Sequence, residues 1–405
     1  MMPIIEVARI EIACGIFPDK THCSSGSGRI HAHVDLGSAL FETDLIHQLV
    51  DEVDPAAACR ENVLAHDGAR DGCGIESRPR IANDDEKAAR REAMGAFGDD
   101  TVYLEKYLER PRHVEFQILA DNYGNVVHLF ERECSIQRRH QKIVEESPSP
   151  ALGEKLRKKM GQAAVAVARA VGYTNAGTIE FMLDEDKNFY FLEVNARVQV
   201  EHPVTEMVTG VDIVKTQLAI AAGEELRFAQ KDVSRRGHAL ECRVYAEDAA
   251  ANFLPSAGKI LFLREPIGPG VRLDGGIYGG YDVPVHYDPI LAKLITWGTD
   301  RDEARRRMAE ALRDYVIVGI KTTVPFLRDV VEHPAYVAGE TNTGFIADHF
   351  DGWREDVPAE LVEKALAAAG AAELVGGPAK SYTDGDRAAA PTPWQTVGPW
   401  QNGAA

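Results

Sequence analysis

The sequence lacks the features that mark membrane, secreted and nucleic-acid-binding proteins. None of its apolar runs approaches the ~18 residues that cross a bilayer, and its first residues have neither the basic start nor the apolar core of a signal peptide. Basic residues are in deficit, because 63 acidic side chains face 45 basic ones and the formal net charge is −18. Such a field repels nucleic acid and anionic lipid. We therefore expect a cytoplasmic protein with neither nucleic acid nor membrane as a partner.

Cysteine is also scarce, and its six positions are widely spread: Cys14, Cys23, Cys59, Cys73, Cys134 and Cys242. No two of them have the C-x-x-C spacing, and they do not form the dense framework of a small secreted domain. A reducing compartment fits this pattern. Cys134 and Cys242 fall in predicted structured segments, and we interpret them as small buried apolar residues.

The most informative stretch is a predicted β-hairpin. Apolar and β-branched residues alternate along two arms, residues 177–183 and 188–195, and a polar turn joins them. In the register that we predict, Phe181 lies opposite Tyr190, and Phe191 is turned to the other face. The hairpin therefore has one apolar face and one face that carries polar side chains.

The polar face gathers Glu180, Glu193 and Asn195. Burying two carboxylates inside apolar strands costs free energy unless a cation compensates them. Oxygen ligands without sulfur are those of Mg²⁺, which usually binds together with phosphate oxygens. The pattern thus indicates an ATP site, although alternation alone equally allows a sheet face that is open to water.

Further elements follow from the same patterns. Helices are predicted at residues 84–97, 154–171, 213–222, 300–315 and 359–369, and strands at residues 101–108, 113–120, 126–130, 238–247, 258–263, 271–273 and 290–297. Along the strand at residues 238–247, alternation turns Glu241 and Arg243 away from the core. The basic run at residues 137–142, in so acidic a chain, is interpreted as a local anion site.

Several motifs resemble those of one enzyme family. The longest is EVNARVQVEHPVTE at residues 193–206, and the others are YLEKYL at 103–108, PRHVE at 111–115, ERECSIQRRHQK at 131–142 and GHALECR at 237–243. Together they resemble the biotin carboxylases of the ATP-grasp superfamily, in the order and spacing of that family. The resemblance covers about residues 81 to 350.

The resemblance implies an α+β fold in consecutive parts. Residues 81–233 would form an ATP-grasp domain and residues 234–352 a biotin carboxylase C-terminal domain. Residues 1–80 are a divergent segment without a match to the family. Residues 353–405 are expected to form a helix and a disordered tail, because glycine, alanine, proline and serine dominate there.

The resemblance also implies the chemistry. Such enzymes make carboxyphosphate from ATP and bicarbonate and then carboxylate biotin. The residues that match their catalytic positions are Glu201 as general base, Arg197, Gln199 and Val200 at bicarbonate, Arg243 at the enolate-like biotin, and Lys142 facing phosphate or bicarbonate. From the residues alone, Glu201 could instead stabilise a helix start before Pro203, and Arg243 could form a surface ion pair.

The remaining matched positions concern the nucleotide and its metal. They are Glu105, Lys106 and Leu108 at adenine, His113 and Gln137 at the nucleotide, His140 facing phosphate or bicarbonate, and Glu180, Glu193 and Asn195 at Mg²⁺ or Mn²⁺. ATP, bicarbonate, biotin and the metal are therefore the expected substrates and cofactors.

The sequence contains no Ala-Met-Lys-Met biotinylation motif, so biotin would be carried by a separate biotin carboxyl carrier protein or domain. The expected assembly is an acyl-CoA carboxylase with a carboxyltransferase subunit, in which this chain forms a homodimer. Two alternatives stay open: an impaired homologue that keeps only the core and the dimer surface, and an ATP-grasp ligase with another acceptor. The motif at residues 241–243 makes the second alternative less favoured.

One family element is not recognisable. Family members carry a lid with a nucleotide-binding lysine and a glycine-rich phosphate loop before the region matched here. Residues 71–79 hold only Gly72 and Gly74, separated by a cysteine and followed by Pro79. Truncation, a shifted reading frame or true divergence of residues 1–80 would each explain this.

We predict that the chain carboxylates free biotin poorly or not at all. Phosphoryl transfer depends on positioned donors around the phosphates, and the loss of one such donor costs ~10²- to 10³-fold. The measurement is bicarbonate- and biotin-dependent ADP release, compared with a chain that carries a glycine-rich lid. Equal turnover of the two proteins would show that residues 60–80 form a phosphate loop around Gly68, Gly72 and Gly74.

Overall fold

A computed structural model describes residues 87, 89–91, 93–95, 98–100 and 108–375. The predictions for residues 1–80, most of the strand at 101–108 with Glu105 and Lys106, and the tail beyond residue 375 lie outside these residues. Leu108 is described and is not in a strand. The described residues up to Trp353 belong to one compact unit, and the described residues from Arg354 belong to a second one.

The strands are β1 (Arg112–Ala120), β2 (Val126–Arg138), β3 (Gln141–Ser147), β4 (Asn175–Leu183), β5 (Phe189–Asn195), β6 (His238–Tyr245), β7 (Glu247–Asp248), β8 (Leu254–Pro255), β9 (Gly258–Lys259), β10 (Phe262–Arg264), β11 (Val271–Gly275), β12 (Asp282–Val283), β13 (Ile290–Gly298) and β14 (Val316–Val318). The α-helices are α1 (Glu154–Ala170), α2 (His202–Thr209), α3 (Ile213–Ala221), α4 (Arg301–Asp314), α5 (Val324–Glu332), α6 (Pro334–Val337), α7 (Phe345–Phe350) and α8 (Ala359–Val375).

One eight-stranded sheet dominates the first unit. Its order is β11-β13-β6-β3-β2-β1-β4-β5, and every neighbouring pair is antiparallel. The pairing of β3 with β6 joins strands that lie on either side of the boundary that we predict between residues 233 and 234. The sheet is therefore continuous across that position.

Apolar clusters form where helices pack on this sheet. On β1, β2 and β4, the apolar stripe of α1 contributes Met160, Ala164 and Val167, which pack with Phe116 and Phe181. On β6 and β13, α4 and α5 close a second cluster, in which Met308 and Phe326 lie with Leu240, Cys242 and Leu294. Helix starts follow their sequence signals, because Asp212 caps α3 and Asp300 caps α4 with side-chain oxygens.

The central hairpin has the predicted strands but not the predicted register. Phe181 pairs with Phe191 rather than with Tyr190, and Glu180 then pairs with Glu193. Leu192 is an extra residue at this shift, which makes it a β-bulge. The bulge turns Phe191 to the apolar face with Phe181, contrary to our expectation, and still leaves Glu193 on the polar face with Glu180.

Phe181 is fully buried, and its ring meets the edges of Phe116, Phe189 and Phe191. We predict that Phe181→Ala lowers the free energy of unfolding by about 3–5 kcal/mol, because it removes these contacts and leaves a cavity. Leu192→Ala is the control, since Leu192 is 41% exposed at the bulge, and it should stay within about 0.5 kcal/mol of wild type. Urea unfolding measures both. Equal losses would mean that this apolar face does not hold the hairpin.

Candidate active site

The candidate site lies on the sheet face that α2 covers, where polar side chains of five strands, β1, β2, β3, β4 and β6, meet the start of that helix. Pairing explains why they share a face. Glu115 on β1 lies directly opposite Glu180 on β4 and opposite Arg132 on β2. On β3 an extra residue at Ile143 shifts the register against β2. The shift allows Lys142 and Glu145, which are three residues apart, to point to the same side.

Lys142 is the centre of the cluster. Its Nζ donates to Glu115 Oε2 at 2.5 Å, to Glu180 Oε1 at 2.9 Å and to Glu201 Oε1 at 2.7 Å. Burial opposes the charged amine, but Glu115, Glu201 and Glu180 outweigh it, so the pKa of Lys142 lies well above its ordinary value. The side chain is therefore a permanent ammonium ion with three carboxylate partners.

Glu180 is held in its ionised form. His113 Nε2 lies 2.8 Å from Glu180 Oε2, and Gln199 Nε2 donates to Glu180 Oε1 at 2.7 Å. Burial raises the pKa of Glu180, but His113 and Lys142 together lower it by more than burial raises it. The pKa of Glu180 therefore lies well below its ordinary value. Gln137 Nε2 lies 2.9 Å from His113 Nδ1, on the other side of the ring from Glu180.

Glu201 ends the loop before α2 and is 2% exposed. Its second oxygen accepts from Arg243 Nη2 at 3.0 Å, while Arg243 Nε donates to Glu145 Oε1 at 2.6 Å. Burial raises the pKa of Glu201, but Lys142, Arg243 and Arg132 lower it below its ordinary value. Its side chain makes no capping hydrogen bond to the helix. Arg243 is 12% exposed between two buried carboxylates, which does not fit a surface ion pair.

Three residues of the cluster, Glu115, Arg132 and Glu145, were not predicted from the sequence as site residues. Arg132 is fully buried and donates to Glu115, Gln117, Thr178, Thr205 and Gln199. Alternation along β1 offered a signal for Glu115, because it places His113, Glu115 and Gln117 on one face of the strand. That face meets Glu180 only through the β1/β4 pairing, which local patterns do not reveal.

Other predicted residues lie at the edge of the cluster. On the edge strand β5, Glu193 Oε1 accepts from Asn195 Nδ2 at 3.0 Å, and Asn195 Oδ1 accepts from Arg197 Nη2 at 3.1 Å. The Val200 carbonyl accepts from Lys293 Nζ at 2.8 Å. His140 is exposed in the turn between β2 and β3.

A cleft of about 400 Å³ opens beside these residues. Gln199, Val200, His202 and Lys293 contribute polar groups or backbone to its lining, together with Ile290. A concave site with a few convergent polar groups is the usual form of a small-molecule site. The cleft adjoins Glu201 through its neighbour Val200.

The donor set fits a divalent cation at Glu180. Donor atoms of His113, Glu115 and Glu180 lie within 4.8 Å of one another, and Glu193 pairs directly with Glu180. A second group of Glu115, Cys134 and Glu201 is equally close. Burial raises the pKa of the Cys134 thiol well above its ordinary value, so this sulfur stays protonated and is a poor ligand. Carboxylate and amide oxygens at Glu180, Glu193 and Asn195 suit Mg²⁺.

Two family models identify an ATP-grasp protein, in which this antiparallel sheet carries the candidate site. "Carbamoyl-phosphate synthase L chain, ATP binding domain" matches residues 67–229, and "Biotin carboxylase C-terminal domain" matches residues 241–348. The chain belongs to the biotin carboxylase family. The fold class and the family resemblance predicted from the sequence are confirmed.

Relatives and solved structures support this membership. The chain is 56% identical over 261 residues to a biotin carboxylase of a Nostoc species, covering 64% of this chain and 58% of the relative. It is 49% identical over 283 residues to the alpha chain of mitochondrial methylcrotonoyl-CoA carboxylase of Dictyostelium discoideum, covering 70% and 40% of the two chains. The chain thus spans about half the length of these curated relatives.

A solved structure gives the corresponding likeness in three dimensions. It is the biotin carboxylase domain dimer of Hydrogenobacter thermophilus 2-oxoglutarate carboxylase, in complex with MgADP, ADP and bicarbonate. The TM-score is 0.64 at 46% identity, over 68% of this chain and 60% of that one. These comparisons favour neither of the alternatives raised from the sequence. Among the described residues, no helix has the length and apolarity needed to cross a membrane.

We predict that Glu193→Gln and Glu180→Gln each lower Mg²⁺-dependent ATP turnover by about 10²-fold or more, because each removes a negative ligand from the metal position. Glu193 is the cleaner position, since it is half-buried and does not contact Lys142 in the way that Glu180 does. Mg-nucleotide titration monitored by calorimetry gives the affinity, and circular dichroism checks the fold. Wild-type Mg-nucleotide binding in both variants would mean that the metal lies elsewhere.

Proposed function

We propose that the site of this chain is arranged to carboxylate biotin in two steps, with ATP and bicarbonate as the other substrates and carboxyphosphate as the intermediate, and that the full rate requires a glycine-rich phosphate lid. The observation that carries the proposal is the environment of Glu201. This buried carboxylate is ionised, one of its oxygens contacts Lys142, and the other contacts Arg243. Glu201 as the base thus lies between Lys142, a cation suited to phosphate, and Arg243, a cation suited to an oxyanion.

The first step joins bicarbonate to the γ-phosphoryl group of ATP and releases ADP. Glu201 takes the proton of bicarbonate while a bicarbonate oxygen forms the bond to phosphorus. Arg197 and the backbone beside Val200 bind the planar anion, for which an arginine fork is well shaped. Lys142 stabilises negative charge on the transferred group. Mg²⁺ bound at Glu180, Glu193 and Asn195 would neutralise charge on the β and γ phosphates.

The second step transfers the carboxyl group to the ureido nitrogen of biotin, with release of phosphate. The C–O bond between the carboxyl group and phosphate breaks, the departing phosphate accepts the proton of that nitrogen, and negative charge develops on the ureido oxygen. Arg243 is the group that stabilises this charge, since its guanidinium carries five N–H donors and stays protonated. The Arg243 pKa supports this assignment, because burial lowers it but Glu145 and Glu201 raise it well above its ordinary value.

The proposed assembly follows from the same chemistry. Biotin is brought by a separate carrier protein or domain, and a carboxyltransferase subunit consumes carboxybiotin within an acyl-CoA carboxylase. A homodimer is supported by the dimeric relative. A reducing cytoplasm suits the two free, buried thiols Cys134 and Cys242.

We predict that Glu201→Gln lowers bicarbonate-dependent ATP cleavage by about 10²- to 10⁴-fold, because a positioned base is lost, while nucleotide affinity changes little. Steady-state ADP release and calorimetric nucleotide binding measure the two quantities separately. Glu206→Gln is the matched control, since Glu206 lies on the same helix and pairs with Arg272 instead. An unchanged rate with weakened nucleotide binding would assign Glu201 a structural role.

A further inference from the structure

Two buried glutamates that the mechanism above does not use lie side by side next to Arg243. Glu145 on β3 and Glu241 on β6 are direct partners in the antiparallel pairing, so their Cβ atoms are about 4.5–5.5 Å apart on one face. Both side chains are fully buried. Among the described residues, no hydrogen-bond donor reaches Glu145 Oε2 or either carboxyl oxygen of Glu241.

The surroundings supply too little positive charge for two carboxylates. The elements packed around the pair carry several charged and titratable groups. They are Lys142 on β3, Arg243, Tyr245 and the Cys242 thiol on β6, Lys293 on β13, Arg132 and the Cys134 thiol on β2, and Glu201, His202 and Glu206 at the start and along α2. Of these, only Arg243 donates to the pair, at Glu145 Oε1, and it is shared with Glu201. Arg132 and Lys142 are committed to other acceptors.

The cover of the pair is apolar. Val204 and Val208 of α2 pack with Ala239 and Ile295 over this part of the sheet. Two negative charges side by side in such surroundings cost far more free energy than one. A proton between them removes one charge and also gives one carboxyl group an O–H that its neighbour accepts.

We propose that Glu145 and Glu241 hold a single proton between them and that this pair positions Arg243 against Glu201. The proton resides mainly on Glu241, which has no cation bonded to it, and Glu145 is the carboxylate that binds Arg243. The pair then carries one negative charge, which matches the one positive charge of the guanidinium. Both glutamates are positioning residues, because they act on substrate only through Arg243.

Electrostatics supports this distribution. Burial raises the pKa of Glu145, Arg243 lowers this pKa, and Glu201 raises it again. The resulting pKa of Glu145 is about 7. Burial and the adjacent Glu145 raise the pKa of Glu241 well above its ordinary value. Since coupling is reciprocal, the charge on Glu145 also raises the proton affinity of Glu201. The pair therefore affects both the place of the arginine and the strength of the base.

The proton is tested first, without any assay of activity. When the folded-state pKa of a group lies above its unfolded value, the folded protein binds more protons than the unfolded chain at any pH between the two values. Stability therefore falls as the pH rises from the unfolded pKa to the folded pKa. For Glu241 this pH range begins at the ordinary pKa of 4.5 and extends to higher pH. Glu241→Gln mimics the protonated group and has no proton to lose. We expect its melting temperature to rise relative to wild type as the pH is raised from about 5 to about 9.

Infrared spectra of wild-type protein labelled with ¹³C-glutamate give a second test, which remains available if Glu241→Gln does not fold. We expect the carbonyl band of a protonated carboxyl group to persist at neutral pH and to disappear in the variant where that variant folds. The absence of the band in wild type, or melting temperatures of wild type and Glu241→Gln that run parallel across the pH range, would overturn the proposal.

The positioning role, which rests on the proposed function, is tested by rates. Glu241→Gln should retain neutral-pH turnover within a few fold, while the alkaline limb of its pH profile moves upward, because the shared proton is no longer lost. Glu145→Gln should lower turnover by about 10²-fold, since Arg243 loses its charged partner. Glu131→Gln is the control, because Glu131 is equally buried and bonded to Arg157 outside the cluster.

These outcomes separate the two proposals. Inactivity of both the wild-type chain and the chain that carries a glycine-rich lid, with the expected infrared and melting results, would count against the proposed function and leave the shared proton standing. An active chain in which Glu241→Gln has the wild-type pH profile, or in which Glu145→Gln turns over like Glu131→Gln, would overturn the positioning role.

Discussion

The Lys142 ammonium group contacts three carboxylates that come from β1, β4 and the start of α2, and the arrangement of the site depends on these contacts. Without a cation at this point, Glu115, Glu180 and Glu201 would bring three like charges into a region closed to water. Removing one partner of a buried ion pair typically costs about 3–5 kcal/mol, because the other charges remain buried. Three partners share this one cation, so the elements that carry them are fixed together.

The continuous sheet makes such a contact possible. β3, which carries Lys142, lies between β2 and β6. It is hydrogen-bonded on one side to the strand that carries Arg132 and on the other side to the strand that carries Arg243. Arg132 adds a second set of bonds from the sheet to Gln199 and to Thr205 on α2. Side chains on strands, locked by such partners, are held more precisely than side chains on free loops.

Equally buried glutamates differ in charge because their partners differ. Burial raises the pKa of every one of them, yet the pKa of Glu180 and Glu201 falls where cations are adjacent, and that of Glu145 and Glu241 rises where cations are few. Environments that push the pKa values of neighbouring acids apart are how one site holds both a base and a neutral acid. The number of cations beside each group decides the outcome.

Local patterns in the sequence determined much of this protein. Alternation predicted the hairpin at residues 177–195 and the strands at residues 113–120 and 126–130, and it placed Glu180 with Glu193. The helices predicted at residues 213–222 and 300–315 begin beside Asp212 and Asp300, which cap α3 and α4. Strand periodicity and capping need only neighbours in the chain. Tertiary structure alone decided the bulge at Leu192, since packing of Phe191 on Phe181 selects it. It also decided the meeting of Glu115 with Glu180 and of Glu145 with Glu241, because these contacts join strands that are far apart in the chain and no local period records which strands pair.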